Sequence, residues 1–401
     1  MIDRQLGTVV IGGSQAGLAV GYFLKQRDLP FVILDENDRI GDAWRKRWDS
    51  LRLFTPGRYN GLPGMPFPGS PWAYPTKDET ADYLEAYARA FELPVRTGVK
   101  VDRLSKTGDR FEVRGGQHTL FAENVVVATG AFNTPRVPSF ARELDKSIVQ
   151  LHSKEYRHPS QIQKGAVLVV GAGNSGAEIA IELTRNHQTW LSGPDTGQEP
   201  ARAGSRLDRL VTPMMWFVAT RLTVKTALGR KLRDHFINPP RGIPLGRVRR
   251  NDFAPAGIER VPRVTGVSNG CPVLENGRVL EVSNVIWCTG YAPNYDWIDV
   301  SLPKLNGVPI HDRGIVDSCA GLYFIGLLFL YSLSSALVGG VGRDAEHIVD
   351  HIVSTRLSRR EGAVARGDNR WEALCVTGSC LYSSCLRASR TARLPLKSAL
   401  R

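Results

Sequence analysis

Val9–Lys25, VVIGGSQAGLAVGYFLK, passes from an apolar run through a glycine turn into residues at helical spacing. A strand, a tight loop and a helix follow from that pattern. The loop Gly12-Gly13-Ser14-Gln15-Ala16-Gly17 matches G-x-G-x-x-G at its first and last glycines, with Ser14 at the middle one. That middle glycine ordinarily lets backbone approach a pyrophosphate, while the helix N-terminus supplies unpaired N–H groups. Serine is acceptable there if its φ is negative and its side chain turns away, and its hydroxyl offers a phosphate a donor.

A complete copy of the motif follows about 160 residues on, in Gly165–Arg185, GAVLVVGAGNSGAEIAIELTR. Val167–Val170 form an apolar run, Gly171, Gly173 and Gly176 supply the glycines around Asn174 and Ser175, and Ile179, Ala180 and Leu183 continue at helical spacing. One such loop is weak support for dinucleotide binding; two in the same strand–helix context are much stronger. After the first loop, Phe31–Leu34 read as a strand ending at Asp35, 18 residues beyond Gly17. A carboxylate at that distance accepts hydrogen bonds from a ribose, and Glu36 is the fallback. The fold class is therefore α/β, with two Rossmann-like, three-layer dinucleotide-binding domains.

The rest of the chain narrows the classes. Its 401 residues, 42% apolar and 23% charged, suit an ordered protein of two or three domains. Of the net charge of +13, +7 lies beyond residue 355, where ten Lys/Arg face three acids. The remainder is unexceptional, so a solvated surface is expected and no nucleic-acid groove. Residues 356–401, rich in Ser and Arg, read as a disordered basic tail. Cys271, Cys288 and Cys319 form no metal or C-x-x-C spacing, so no metal is expected and a reducing, cytoplasmic setting fits. Met1 opens no charged and apolar leader, so no secretory signal is expected. Ala320–Gly342 carries no charge, but its glycines and serines favour a buried strand, a loop and a helix start over a membrane span.

Six segments then occur in a recognisable order: GDAWRKRWDSLRLFTP (Gly41–Pro56), YPTKDETADYLEAYA (Tyr74–Ala88), VVVATGAFNTPRVP (Val125–Pro138), the second glycine loop, VIWCTGYAPN (Val285–Asn294) and GLYFIGL (Gly321–Leu327). Through them, residues 7 to about 355 resemble the flavin-containing monooxygenase superfamily, near the plant YUCCA-type enzymes. The resemblance implies FAD on the first loop and NADP (or NAD) on the second. It implies an NAD(P) domain (161–290, with a helical insertion about 205–255) set into a discontinuous FAD domain (1–160 and 291–355). It places Trp44, Thr129, Gly130 and Gly326 with FAD, and Thr289 and Gly290 with the nicotinamide nucleotide. By spacing alone, Trp44 and Trp48 equally form the apolar face of a helical turn. The implied reaction has NAD(P)H reduce FAD and O2 form a C4a-(hydro)peroxyflavin, which passes one oxygen atom to a small-molecule substrate. An NAD(P)H oxidoreductase or oxidase without stable peroxyflavin, and a non-catalytic nucleotide-binding protein, are the alternatives.

Three positions depart from that superfamily. Its F-x-G-x-x-x-H pattern retains only His152 and, four residues on, Tyr156, because Lys146 and Ile148 replace the Phe and Gly; His152 is a candidate hydrogen-bond donor or a structural histidine. Phe54 stands where N-oxygenating members often carry Asn, with Asn60 nearby. Pro194 replaces an Arg that would pair with a 2′-phosphate, and Asp195 follows, 19 residues after Gly176. A carboxylate there tilts the choice towards NADH, unless Arg202 and Arg206 fold back. Leu207–Phe253 reads as a helical lid whose arginines are mostly solvated.

Overall fold

The computed structural model describes residues 6–131, 134–237 and 242–365. Residues 1–350 form one compact unit and residues 351–401 a second. The amino-terminal sheet starts with β1 (Leu6–Ile11), which leads through the first loop into α1 (Gln15–Gln26) and β2 (Phe31–Leu34). After α2 (Lys77–Ala90) comes the short β3 (Val95–Arg96). An antiparallel ribbon follows: β4 (Arg103–Thr107), β5 (Arg110–Gly115) and the long β6 (His118–Val127). The first half of β6 closes that ribbon. Its second half inserts beside β1, in register from Leu6↔Ala122 to Ile11↔Val127. Val9, Val10, Val125, Val126 and Val127 are wholly buried, as a parallel sheet covered on both faces requires.

The second sheet is entirely parallel. It comprises β7 (Val149–His152), β8 (Val167–Val170), β9 (Thr189–Ser192), β10 (Ile258–Val261) and β11 (Asn284–Trp287), in the order β10-β9-β8-β11-β7. Helix α3 (Asn174–Leu183) joins β8 to β9. Helices α4 (Asp208–Arg221) and α5 (Ala227–Ile237) lie in the connection from β9 to β10, within the expected insertion. The chain then returns to the first sheet, where β12 (Leu322–Phe324) pairs in parallel with β6. The second sheet is thus inserted in sequence between strands of the first.

Two expectations need correction. The strand Val149–His152, on the amino-terminal side of the expected boundary at 160, joins the second sheet through Asn284↔Val149 to Trp287↔His152. Residues 356–365, expected in the disordered tail, belong to helix α6 (Gly342–Ala365); the remainder of that tail lies outside the described residues. In the uncharged stretch, β12 is followed by short helical turns at Leu333–Ala336 and Val338–Gly340. Among the described residues no helix is long and apolar enough to cross a membrane.

Two buried clusters cover the faces of the second sheet. One collects Val167, Val169, Ile179, Leu183 and Ile286 with Trp48, and the other Leu168, Val170, Trp190, Val285 and Trp287. Fully buried Asn284 locks the entry to β8, accepting from the Gln163 N–H (3.0 Å) and donating to its carbonyl (2.9 Å). Asn284→Ala is expected to cost about 1–3 kcal/mol by stranding both Gln163 groups. Chemical denaturation showing no loss would contradict that role.

Candidate functional site

The two glycine loops repeat the same geometry. Gly12 and Gly171 have φ of 111° and 109°, a region that a residue with a β-carbon rarely adopts. A β-carbon on Gly17 would lie 1.8 Å from the Gly12 carbonyl oxygen, and one on Gly176 would lie 1.8 Å from that of Gly171. The turn therefore closes only without side chains at those four positions. Each first glycine also abuts the neighbouring strand's end. A β-carbon on Gly12 would meet the Ala128 carbonyl oxygen at 2.6 Å, and on Gly171 that of Cys288 at 2.2 Å. These are the residues that open Ala128-Thr129-Gly130 and Cys288-Thr289-Gly290. Gly130 and Gly290 then turn away with φ of 73° and 79°.

The middle position tolerates a side chain. Ser14 has φ −91° and ψ −166°, and Gly173 has φ −75° and ψ −174°. A β-carbon on Gly173 meets nothing within 4 Å. Ser14 therefore sits unstrained, and its hydroxyl donates to Gln15 Oε1 at 2.6 Å. The same oxygen accepts from the Trp44 indole at 3.3 Å. Trp44 and Trp48 thus part company: the first meets the loop, while the second is buried with Tyr156 and Ile162 against the second sheet. Ala16 is buried at the start of α1, and a β-carbon on Gly326 would lie 3.1 Å from its own. Gly12, Gly13, Ser14, Gln15, Ala16, Gly17, Asp35, Trp44, Gly130 and Gly326 are brought together.

Asp35 is buried at the end of β2, while Glu36 beside it is exposed. Asp35 Oδ2 accepts from the Gly13 N–H at 2.6 Å. Its Oδ1 accepts from Asn37 N and Nδ2 at 2.8 and 2.9 Å. A carboxylate accepts about four hydrogen bonds, so capacity remains for a hydroxyl. Asn37 was missed in the sequence; its place two residues after the acid is an ordinary Asx-turn signal.

At the second loop Asn174 is committed to structure. Its amide donates to the carbonyls of Ile243 and Pro244, both at 3.1 Å, and accepts from Gly246 N at 3.2 Å. Ser175 is half-buried in the first turn of α3. The Thr289 hydroxyl donates to the Arg136 carbonyl. Exposed Asp195 pairs with Arg250 at 2.6 Å and accepts from Gly197 N at 2.9 Å. Arg202 pairs instead with Asp252. Arg250, 55 residues from Asp195, carried no local signal.

His152 ends β7 with both ring nitrogens engaged. Nδ1 accepts from the Lys154 N–H at 3.1 Å, which leaves Nε2–H to donate to the Gly290 carbonyl at 3.1 Å. The ring meets Tyr291 edge-on at 5.1 Å. This makes it a neutral clamp on the Cys288-Thr289-Gly290 turn, and the structure gives it no free donor for chemistry. Asn60 is also spent: its amide donates to the carbonyls of Thr55 and Pro56 at 2.8 and 3.2 Å. Phe54 is partly exposed and brings no replacement donor. Cys271, Cys288 and Cys319 are unpaired, and among the described residues no His/Cys/Asp/Glu group is arranged for a metal ion.

Known proteins resemble this chain along most of its length. The family described as pyridine nucleotide-disulphide oxidoreductase matches residues 9–215. An oxidoreductase of Geobacillus kaustophilus, CzcO-like by name, is 41% identical over 356 residues, covering 86% of this chain and 98% of its own. The probable indole-3-pyruvate monooxygenase YUCCA7 of Arabidopsis thaliana is 30% identical, covering 80% of this chain and 82% of its own. The solved flavin-containing monooxygenase of Stenotrophomonas maltophilia superposes with a TM-score of 0.71 at 27% identity, over 88% of this chain and 99% of that one.

Burial pulls the His152 pKa below its ordinary 6.5, against a smaller opposing effect of the Gly290 carbonyl. The unfolded chain therefore takes up the proton first. The clamp's contribution is full above about pH 6.5 and is lost as pH falls through the lower folded value. His152→Gln is expected to flatten the fall of Tm as pH drops below about 6.5. Equal slopes in both proteins would contradict this.

Proposed function

Because the chain belongs to the pyridine nucleotide-disulphide oxidoreductase family and to the flavin-containing monooxygenase superfamily, we propose that it is a cytoplasmic FAD- and NAD(P)H-dependent monooxygenase acting on a small organic molecule. The observation that carries this reading is the duplicated loop, closed twice on a neighbouring strand's carbonyl with the same 1.8 Å constraint. FAD would be held on the first loop, with the opening N–H groups of α1 available to its diphosphate, Asp35 to a ribose hydroxyl, and Gly130 and Gly326 leaving room beside the loop. Gln15, held by Ser14 and Trp44, would keep that loop in place. The nicotinamide nucleotide would be held on the second loop, by Gly173, Ser175 and the turn at Thr289 and Gly290. The domains are those the resemblance implies, with the second beginning at β7.

Bound flavin supplies hydride acceptance from NAD(P)H and transfer of one atom of O2 to substrate, the other leaving as water. The protein's share is binding, orientation and exclusion of water. The insertion is placed for the last of these. Trp216 of α4 stacks on Tyr59 at 4.9 Å, and Val224 N donates to the Tyr331 carbonyl at 2.8 Å. Arg343 at the start of α6 reaches the Thr220 carbonyl at 2.8 Å. No side-chain acid or nucleophile is needed, in keeping with a committed His152.

The absence of an amide at Phe54, with Asn60 spent, favours a second reading in which reduced flavin returns directly to its oxidised form as an NAD(P)H oxidase. Product analysis on indole-3-pyruvate, tertiary amines, sulfides and cyclic ketones separates the two. Oxygenated product matching NAD(P)H consumed supports the first, whereas stoichiometric H2O2 with every candidate supports the second.

Purified protein is expected to be yellow, and Ser14→Gly to retain its flavin, because Ser14 shares the backbone of Gly173. Gly176→Ala is expected to stay yellow while flavin reduction by NAD(P)H slows by about tenfold or more. A colourless Ser14→Gly protein, or unchanged reduction in Gly176→Ala, would count against the assignment. With Asp195 balanced by Arg250, kcat/KM for NADH and NADPH is expected to agree within about a hundredfold, nearly 3 kcal/mol. A larger preference for NADPH would refute that balance.

A further inference from the structure

Helix α4 is built inside out. Its buried residues are Asp208 and Ala219, with the Thr212 hydroxyl donating to Asp208. Leu210, Met214, Phe217 and Val218, with Leu207 just before them, are instead 75, 61, 60, 40 and 53% exposed. Their spacing by three, four and seven puts them on one stripe, opposite the Asp208–Ala219 face. Leu228, at the start of α5, is also 60% exposed. Water is a poor partner for a continuous apolar face of this kind.

The stripe is not what holds the helix in place. Asp208 accepts from the Tyr74 hydroxyl at 2.5 Å and from Gly204 N at 2.8 Å, and Trp216 stacks on Tyr59. The inner face anchors α4 through polar and aromatic contacts, which leaves the outer face for another surface.

Charge selects the occupant. Between residues 205 and 237 the exposed cations are Arg206, Arg209, Arg221, Lys225, Arg230, Lys231 and Arg233, and Asp234 is the one exposed acid. Arg221 lies over the Phe217 ring, 5.6 Å from its centroid, so cation and stripe are interleaved. A second copy would bring the same excess positive charge against itself. The segment beyond residue 365 is also net basic, with seven Lys/Arg against two acids. An exposed apolar stripe interleaved with guanidinium and ammonium groups suits an anionic bilayer, with the apolar side chains at the headgroup–acyl boundary and the cations on the phosphates.

We propose that α4 and the start of α5 dock this protein peripherally on an anionic membrane surface. The test is co-flotation of the full-length protein with vesicles of phosphatidylcholine alone or with about 30 mol% phosphatidylserine, with oligomeric state followed by light scattering. The wild type is expected to float with the anionic vesicles and to be released by salt. Leu210→Ser/Met214→Ser/Phe217→Ser is expected to bind about tenfold or more weakly, and so is Arg209→Glu/Lys225→Glu/Lys231→Glu, at unchanged Tm. The first variant keeps the basic tail, so flotation equal to wild type would assign binding elsewhere and overturn the proposal. A wild type that fails to float would also overturn it. So would a wild-type dimer that the serine variant turns into a monomer while flotation stays unchanged, since the stripe would then be a contact between copies.

Discussion

A carbonyl oxygen with no room beside it sets the terms for this molecule. At Gly12 and again at Gly171, the oxygen at the end of a buried strand lies where a β-carbon of the first helical turn would fall. Only glycine at Gly17 and Gly176 lets the helix start so close to the strand. That closeness aims unpaired N–H groups at the carboxyl ends of the parallel strands in each sheet. The neighbouring strands end there too, just before Ala128 and Cys288, so each loop has a second wall.

Everything placed around these edges serves to hold them. Asp35 fastens the first loop through Gly13 N, and Gln15 joins it to Trp44. Asn174 ties the second loop to residues 243–246, and His152 clamps the turn after β11. The insertion contacts the first sheet's return segment through Val224 and Tyr331. Both loops thus open at the carboxyl ends of parallel strands, the edge at which open α/β sheets bind their ligands.

What was legible in the sequence is local. Apolar runs such as Val9–Ile11 and Val167–Val170 announce buried parallel strands, and glycine spacing announces the turns. Ser14 was readable too, since its acceptability depended on two local conditions, a negative φ and a side chain that turns away. Contacts between distant segments were not legible. Nothing near Asp195 points to Arg250, and nothing in G-x-G-x-x-G says that Asn174 turns its amide onto a returning loop. β7 was misassigned because an edge strand carrying Gln150 and His152 has a weak apolar signature and gains its place by pairing with β11. Residues 356–365 were read from composition as tail, but they continue a helix begun at Gly342.

The central claim is that one chain holds two dinucleotides at once, at separate edges. Calorimetric titration of the FAD-loaded protein with oxidised nicotinamide dinucleotide tests it most directly. The account predicts one further molecule bound per chain with the flavin fully retained. Displacement of flavin by the titrant, or no second binding event with either NAD or NADP, would contradict it.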